Sequence, residues 1–496
     1  MKSDLTGPRV YIAVDLGATS GRVIAGVWEE GELKLVEKHR FETPSVQLRG
    51  RWYWDFLSLY SEILYGIRTA VDVYGAAAVS IGVDTWGVDY GLLDEKGELL
   101  ANPVCYRDSR TNKIVSALTE KLGKDLIYSE TGIQFMFFNT LFQMGAEVAE
   151  GRTAFKSAKR ILFLPDLVNY WLCEVQATER SIASTSQMLN PHTGMWSEPI
   201  LAELGIDADL LGSIVEPGTL LGPVTNEVGE AIGMANISVT AVAGHDTGSA
   251  FMALPEVQPN YGVLSSGTWS ILGFELDEPN TSAAAAAAGF SNEVGYEGTI
   301  RFLKNICGLW LLEECRRSWL ANGEEASYET IVEAAANCDP MVSLIDPDYE
   351  AFATAGNMPE KIREFCRTHD EPEPKTSAQL ARCIFDSLAL KYDYVFSVLE
   401  KLTGKKLEGL FILGGGSRND LVNQLAADAL GLPVVVGAAE ATAVGNVMAQ
   451  MIADGAAKDL ADARTKVAPS FSTQRFMPRA GVVNDSIKKR FSRLID

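Results

Sequence analysis

The stretch Val10-Tyr11-Ile12-Ala13-Val14-Asp15-Leu16-Gly17-Ala18-Thr19-Ser20-Gly21-Arg22-Val23-Ile24-Ala25-Gly26-Val27-Trp28 decides how the rest of this sequence is read. Its first residues form a short, mostly apolar and partly β-branched run, the pattern of a buried strand, and Val23 to Trp28 reads as a returning partner. Between the strands lie glycines, hydroxyls, an arginine and a carboxylate. Glycines let backbone N–H groups approach an anion closely, and Thr19 and Ser20 add hydroxyl donors. Asp15, at a strand end, is placed to hold a cation or its water shell. The same residues also suit an ordinary hairpin whose Gly and Ser serve only the turn. A matching feature elsewhere in the chain decides between the two.

That feature is Tyr261-Gly262-Val263-Leu264-Ser265-Ser266-Gly267-Thr268-Trp269-Ser270-Ile271-Leu272-Gly273-Phe274, again strand, hydroxyl-and-glycine turn, strand. Each copy continues into βα units. After the first come a strand at Leu33 to Phe41, a helix at Phe56 to Val73 and a buried strand at Val79 to Val83 that runs into Asp84-Thr85-Trp86-Gly87-Val88-Asp89. Ser109 is placed to cap the helix that follows Tyr106-Arg107-Asp108. After the second copy come helices at Leu309 to Asn322 and Ser377 to Leu402. A strand at Leu407 to Leu413 then ends in Gly414-Gly415-Gly416, and the helices Leu421 to Leu430 and Glu440 to Ile452 flank a strand at Val434 to Val436. A pseudo-repeat of this length predicts two related α/β lobes, residues 1–254 and 255–496, with the boundary where Pro255 and Pro259 interrupt the pattern. The stretch 125–235 reads as irregular, and its aromatic run Phe135-Met136-Phe137-Phe138 reads as packing before it reads as a sugar platform. The six alanines from Ala283 to Ala288 read as an incidental exposed segment.

Composition narrows the classes. A chain of 496 residues, 47% hydrophobic and 22% charged, has the makeup of a globular protein with more than one core. The longest apolar candidate for a membrane span, Ile161 to Leu172, is cut by Pro165 and Asp166 and falls short of the ~18 residues required. Met1 to Pro8 lacks a signal-peptide core, so a cytoplasmic location is expected. The seven cysteines are scattered without a C-x-x-C pair, and the four histidines form no H-E-x-x-H, which argues against a disulfide framework and against zinc. A net charge of −22 disfavours nucleic acid and anionic membranes as partners. It leaves room for a nucleotide held by local dipoles and a divalent ion.

No G-x-x-x-x-G-K-[ST] occurs, which excludes a P-loop. Gly414 to Asn419 invites a dinucleotide reading, but Asn419 stands where the third glycine belongs, and both hairpins would go unexplained. A nucleotide gripped by the hairpins Gly17 to Ser20 and Ser265 to Thr268 explains more, with the Gly414 to Gly416 run letting the nucleoside lie flat on backbone. Asp15 then reaches Mg²⁺ through water. Ser238 to Ala243 is a buried strand running into Gly244-His245-Asp246-Thr247, where Asp246 reads either as a first-turn carboxylate or as the base that takes a proton from an attacking hydroxyl. Phosphoryl transfer has a loose transition state, so proton removal comes late and a carboxylate suffices. His245 reads as structural or as a hydrogen-bond partner of the substrate. Asp84, Trp86, Gly87 and Asp89 read as a packed loop or as a ligand-binding strand end.

Asp15-Leu16-Gly17-Ala18-Thr19-Ser20-Gly21-Arg22, Asp84-Thr85-Trp86-Gly87-Val88-Asp89, Tyr106-Arg107-Asp108-Ser109-Arg110, His245-Asp246-Thr247, Ser265-Ser266-Gly267-Thr268-Trp269-Ser270, Lys304-Asn305 with Gly308-Leu309-Trp310, and Gly414-Gly415-Gly416 occur in this order. In this order they resemble the FGGY carbohydrate kinases over roughly residues 9 to 470, most closely the branch that acts on L-rhamnulose. The resemblance implies two actin-like (ribonuclease H-like) ATPase domains around a central cleft, and transfer of the ATP γ-phosphoryl group to O1 of a ketose, L-rhamnulose, in rhamnose breakdown. L-fuculose and xylulose are the alternative acceptors. By position it implies ATP contacts at Ala18, Thr19, Ser20, Gly21, Arg22, Thr268 and Gly415, and sugar contacts at Gly87, His245, Asp246, Thr247 and Asn305, with Asp246 the base. The family's ATP-contacting glutamine after the G-L-W-L-L run is Glu313 here, and a carboxylate beside a nucleotide requires a metal, a proton or a donor. ATP and Mg²⁺ are the expected cofactors, and a monomer or weak homodimer the expected state. A non-sugar chaperone or filament ATPase is the competing class and predicts slow hydrolysis without sugar; a catalytically silent sugar sensor is the third reading. Any kinase of this kind is expected to close its lobes against water.

Overall fold

The computed structural model describes residues 7–255 and 260–495; the Met1 to Thr6 part of the amino terminus and Pro259 of the expected boundary lie outside the described residues. The chain forms two compact units. One comprises Met1–Glu256, Glu275–Phe302 and Ala441–Phe471, and the other Val257–Phe274, Leu303–Glu440 and Ser472–Asp496.

The first unit is built on a six-stranded sheet, in spatial order Thr219–Pro223, Ser238–Ala241, Ala78–Thr85, Arg9–Leu16, Ser20–Glu29 and Glu32–Glu42. Arg9–Leu16 is buried in every residue after Arg9, as its near-continuous apolar run requires. It pairs antiparallel with Ser20–Glu29, setting Asp15 opposite Arg22, and parallel with Ala78–Thr85, setting Asp15 beside Asp84. The helix Phe56–Tyr74 buries Phe56, Leu59, Ile63, Ile67 and Val71, one face at helical spacing. The helix Ala441–Ala453 closes against the sheet at two glycines. A Cβ on Gly26 would meet Val447 at 2.5 Å, and one on Gly82 would meet Asn446 Oδ1 at 2.6 Å.

The stretch 125–235 is more regular than its sequence suggests, with helices Lys124–Thr131, Thr140–Glu150 and Leu164–Cys173 and a strand Arg160–Phe163. In the second of these helices Thr140 to Glu147 are all buried and Val148 to Glu150 are exposed. Pro165 sits in the first turn of its helix, where the missing N–H is harmless. Phe138 packs edge-on against Tyr106 at 5.6 Å and Phe135 lies 6.4 Å from Phe142, so most of the aromatic run is packing and only Phe137 is exposed. Asp108, not Ser109, is the cap after Tyr106-Arg107: its carboxylate accepts the Arg110 amide at 3.1 Å. Ala283–Ala288 is a short helix with only Ala285 buried.

The second unit repeats the first unit's opening connectivity. Tyr261–Ser266 and Trp269–Leu276 form an antiparallel hairpin, and Gly409–Leu413 runs parallel to the hairpin's first arm. Val434–Val436 follows in parallel and Gln474–Phe476 antiparallel. The 27-residue helix Ser377–Thr403 starts at a capping box formed by Thr376 and Gln379. Among the described residues no helix is long and apolar enough to cross a membrane.

Candidate active site

In the first unit the hairpin tip is drawn tight by Gly17 N–H, which donates to Ser20 O at 3.0 Å, and by Thr43, whose hydroxyl donates to Gly17 O at 3.0 Å. A Cβ on Gly21 would lie 2.4 Å from the Phe41 ring, so this glycine serves packing beneath the tip. Thr19 is exposed on the tip, and Ala18, Ser20 and Arg22 are half-buried. Arg22 pairs with the buried carboxylate of Asp15.

Asp84 lies beside Asp15 and is wholly buried. Its Oδ2 accepts the Asn446 amide at 2.6 Å, while Oδ1 has no hydrogen-bond partner. Burial, and after it the charge of Asp15, hold its carboxyl well above the usual carboxylate range; the charge of Asp246 acts in the same direction. Asn446 is held in turn by Gln450, which donates to Asn446 Oδ1 at 2.7 Å and to Ile12 O at 3.2 Å and accepts Ser80 Oγ at 2.5 Å. Asp15, Arg22 and Asp84 thus sit together at the ends of neighbouring strands, close enough to Asp246 for its charge to act on Asp84.

The expected ligand loop after Asp84 divides into two parts. Asp89 is buried, and its carboxylate accepts from Trp54 Nε1 (2.6 Å), Trp86 Nε1 (3.0 Å), the Tyr106 amide (3.2 Å) and Gln143 Nε2 (3.0 Å). Trp86 packs against Trp54 within the core, ring centroids 4.3 Å apart and planes tilted by 44°. Both side chains are therefore occupied by packing, and of the two readings of this loop the packed one holds for Trp86 and Asp89. Gly87 stays half-buried, with Thr185 Oγ1 3.2 Å from where a Cβ would sit. Val88 beside it has φ +69°, a strained value for a β-branched residue. It is held there by Thr185, which accepts its amide at 3.2 Å, and by Thr140, which donates to its carbonyl at 2.7 Å. Such strain persists only where the surroundings over-determine it, and it marks Gly87-Val88 as a positioned element.

The turn carrying His245 and Asp246 is fixed from three sides. Glu179 Oε2 accepts the Gly244 amide at 2.8 Å, Ser181 Oγ accepts the His245 amide at 3.3 Å, and the Thr85 amide donates to Gly244 O at 2.9 Å. Asp246 opens the helix Asp246–Met252 and accepts both the amide and, at 3.0 Å, the hydroxyl of Thr247. It is a first-turn carboxylate, yet its side chain is 32% exposed, so one oxygen remains open to a ligand. His245 Nε2 lies 3.4 Å from Asp246 Oδ1.

In the second unit the hairpin tip Gly267-Thr268 is tied to a helix start. Leu309 N–H donates to Gly267 O and Trp310 N–H to Thr268 O, both at 3.1 Å, so the helix Trp310–Ala321 begins at the tip and carries Glu313 in its first turn. Glu313 is bound at 2.8 and 2.9 Å by the Arg316 guanidinium, the donor its carboxylate requires. In the glycine run, Gly414 (φ +84°) and Gly416 are packed on Ser266, where Cβ atoms would come within 2.7 and 2.3 Å. Gly415 differs: a Cβ there would meet nothing within 4 Å. It lines a cavity of about 740 Å³ with Tyr328, Glu329, Arg418, Asn419 and Arg479. Asn419 accepts the Val422 amide at 3.1 Å and donates to Tyr328 OH at 3.0 Å, so the residue in place of a third glycine is a helix cap. Asn305 is half-buried on the strand Ile300–Cys307. Gly415→Val is expected to leave the melting temperature within about a degree and to raise KM for ATP roughly tenfold, since overpacking an occupied site costs about 1–3 kcal/mol. Thermal melts and steady-state kinetics check this.

Residues 10–253 match the N-terminal domain of the FGGY family of carbohydrate kinases, and residues 262–453 match its C-terminal domain. The chain belongs to this family. It is 44% identical over 469 residues to a rhamnulokinase of Bacteroides thetaiotaomicron, covering 95% of this chain and 96% of the relative. It is 38% identical over 470 residues to a rhamnulokinase of Bacillus subtilis, again 95% and 96%. The fold is that of a gluconate kinase from Lactobacillus acidophilus (TM-score 0.81, 16% identity, 99% of this chain and 97% of that one). It is also that of the glycerol kinase of Plasmodium falciparum with ADP (TM-score 0.78, 15% identity, 98% and 97%). The expected two-domain actin-like kinase fold is therefore the observed one.

Membership makes the chain an ATP-dependent sugar kinase. Its first unit holds the expected residues Asp15, Ala18 to Arg22, Gly87 and His245 to Thr247, and its second holds Asn305, Thr268, Glu313 and Gly415. Sequence reasoning missed Asn446 and Gln450, which support Asp84, and Glu179, which fixes the Gly244 amide. Asn446 and Gln450 are polar side chains in an apolar run, the only signal available before the structure, and Glu179, between Thr178 and Arg180, carries none.

Proposed function

We propose that this FGGY kinase transfers the γ-phosphoryl group of ATP to O1 of L-rhamnulose, yielding L-rhamnulose 1-phosphate and ADP in the cytoplasm. Seven rhamnulokinases, 37–44% identical over at least 93% of this chain, support the acceptor. The observation that carries the chemistry is the exposed Asp246 carboxylate beside the Asp15–Asp84 pair. Asp246 aligns the attacking hydroxyl and takes its proton as the bond to phosphorus forms, and the γ-phosphoryl group leaves ADP behind. His245, Thr247, Gly87 and Asn305 bind the sugar. Ala18, Thr19, Ser20, Gly21, Arg22, Thr268, Glu313 and Gly415 bind ATP, so residues 1–254 carry the base and residues 255–496 much of the nucleotide site.

The residues fit Mg²⁺. Asp84 Oδ1 is buried without a partner beside Asp15, and Mg²⁺ is commonly held by one or two carboxylates with its remaining ligands from water and phosphate. Asp15 and Asp84 would hold a Mg²⁺ through its water shell, with Arg22 balancing Asp15, and the ion would supply neutralisation of phosphate charge.

The acceptor is tested by ADP release over L-rhamnulose, L-fuculose, L-xylulose, D-xylulose and L-ribulose. L-Rhamnulose is expected to lead in kcat/KM by about tenfold or more, the scale on which a site tells apart sugars differing by a methyl group or one hydroxyl. Another ketose turned over as well or better would overturn the assignment.

A further inference from the structure

Gly87, the glycine expected to touch the sugar, opens a turn that its own sequence disfavours. The Asp89 amide donates to Gly87 O at 2.9 Å, two residues back, and Val88 between them has φ +69°. This is the γ-turn of positive φ, a rare and strained form, and its centre here is a β-branched valine instead of a glycine. Such a turn is imposed by its surroundings, and the partners can be named. Thr140 at 2.7 Å and Gln143 at 3.3 Å donate to Val88 O, and the Leu164 amide donates to Asp89 O at 3.2 Å. The Val88 side chain is buried in the core. The Val88 amide donates to Thr185 Oγ1 at 3.2 Å.

The contact with Thr185 governs Gly87 most directly. The Val88 N–H and the Gly87 carbonyl belong to one planar peptide, so fixing the N–H also fixes the direction of the carbonyl. Thr185 is prepared for this task. Its hydroxyl donates to Ile182 O at 2.8 Å, which leaves a lone pair of Oγ1 for the Val88 amide. Thr185 also packs on the glycine, since a Cβ on Gly87 would lie 3.2 Å from Oγ1 and 3.3 Å from Cβ and Cγ2.

Thr185 ends the five-residue helix Arg180–Ser184, and the other end of that helix holds the turn carrying the base. There Glu179 Oε2 accepts the Gly244 amide at 2.8 Å and Ser181 Oγ accepts the His245 amide at 3.3 Å. Glu179, Ser181 and Thr185 are all buried. One short element thus supports both turns that carry expected sugar contacts.

We propose that Thr185 is a positioning residue for the acceptor sugar: its Oγ1 holds the Gly87-Val88-Asp89 γ-turn and so aims Gly87 at the ketose. The inference rests on the reading of Gly87 as a sugar contact. Thr185 acts through Gly87 and needs no contact with the sugar. Without the hydroxyl the Val88 amide is buried with no acceptor, and the valine gains by leaving positive φ, which swings the Gly87 peptide away from its place.

The test is Thr185→Val, which keeps size and shape and removes the hydroxyl, with Thr185→Ser, which keeps the hydroxyl, as the rescue. In Thr185→Val the KM for the ketose is expected to rise on the order of tenfold, the worth of one hydrogen bond, with KM for ATP within twofold of wild type. Thr185→Ser should hold the ketose KM within about threefold of wild type, a smaller loss because the hydrogen bond survives. Thermal melts establish that folded protein is assayed. Where Thr185→Val does not fold, Thr185→Ala, which sets no methyl against the Val88 amide, is read instead and should show the same split. A folded variant without the hydroxyl whose ketose KM stays within twofold of wild type would overturn the proposal. So would an equal rise in both KM values, the result of general loosening, or Thr185→Ser as impaired as Thr185→Val. Gly87→Ala separates this inference from the reading beneath it, and is expected to raise the ketose KM by itself. If it does so while Thr185→Val does not, the positioning role falls and the sugar contact stands; if neither variant moves the ketose KM, both fall. The ketose used is the best acceptor of the five compared above, so the outcome does not depend on which of them that is.

Discussion

Asp246→Asn is expected to lower sugar-dependent ADP release by about 10²–10⁴-fold, the contribution of a positioned general base. The substitution is nearly isosteric, and the asparagine oxygen can still accept the Thr247 amide and hydroxyl that hold Asp246 in the first turn of its helix. What disappears is the capacity to take a proton. The fold, the Gly244 turn locked by Glu179, and the residues of the second unit are untouched, so ADP binding measured by calorimetry should remain within about threefold of wild type. Some rate should survive, because positioning and electrostatics supply most of the acceleration in phosphoryl transfer and the base acts late. A variant that kept kcat within tenfold of wild type would remove Asp246 from that role and leave it a helix-capping carboxylate.

Asp89→Ala is expected to be the most damaging single change to stability, lowering it by about 3–5 kcal/mol or more. The Asp89 carboxylate gathers two indole N–H groups, one backbone amide and one side-chain amide in a buried position. Alanine would leave these four donors without an acceptor, and each buried unpaired donor costs about 1–3 kcal/mol. The partial offset is that the carboxylate itself is held above its ordinary range by burial, so removing it relieves some desolvation. With total stabilities of about 5–15 kcal/mol, a loss of this size exposes Trp54 and Trp86 at modest denaturant. Urea titration followed by tryptophan fluorescence reads it directly. A midpoint unchanged from wild type would mean that water enters and satisfies the four donors.

Asp89 also shows where sequence reading stops. The D-T-W-G-V-D run announces a loop at the carboxyl end of a buried strand, and that loop is there. Which of its side chains face a ligand is decided by Trp54, Tyr106 and Gln143, which arrive from three other segments and draw Asp89 and Trp86 into the core. The two hairpins were legible because everything that defines them is local: buried strands, a glycine-hydroxyl turn and a carboxylate at a fixed offset. Asp246 was legible as one of two roles, and the structure shows that it occupies the first turn while keeping an exposed oxygen. The polar partners on the helix Ala441–Ala453 were not legible. Asn446 reaches Asp84 across 362 residues of sequence, and nothing near either residue signals the other. The helix Thr140–Glu150 escaped notice because Thr140 to Glu147 are all buried and mix polar with apolar side chains.

The central claim is that this kinase phosphorylates a ketose at its terminal hydroxyl, and one measurement tests it most directly. Purified protein is incubated with ATP, Mg²⁺ and L-rhamnulose, ADP is quantified, and the product is examined by ³¹P and ¹³C NMR. The account predicts one ADP per sugar consumed, negligible ADP without sugar, and phosphorus coupled to C1. Steady ATP hydrolysis with the sugar recovered unchanged, or phosphate on any other carbon, would contradict it.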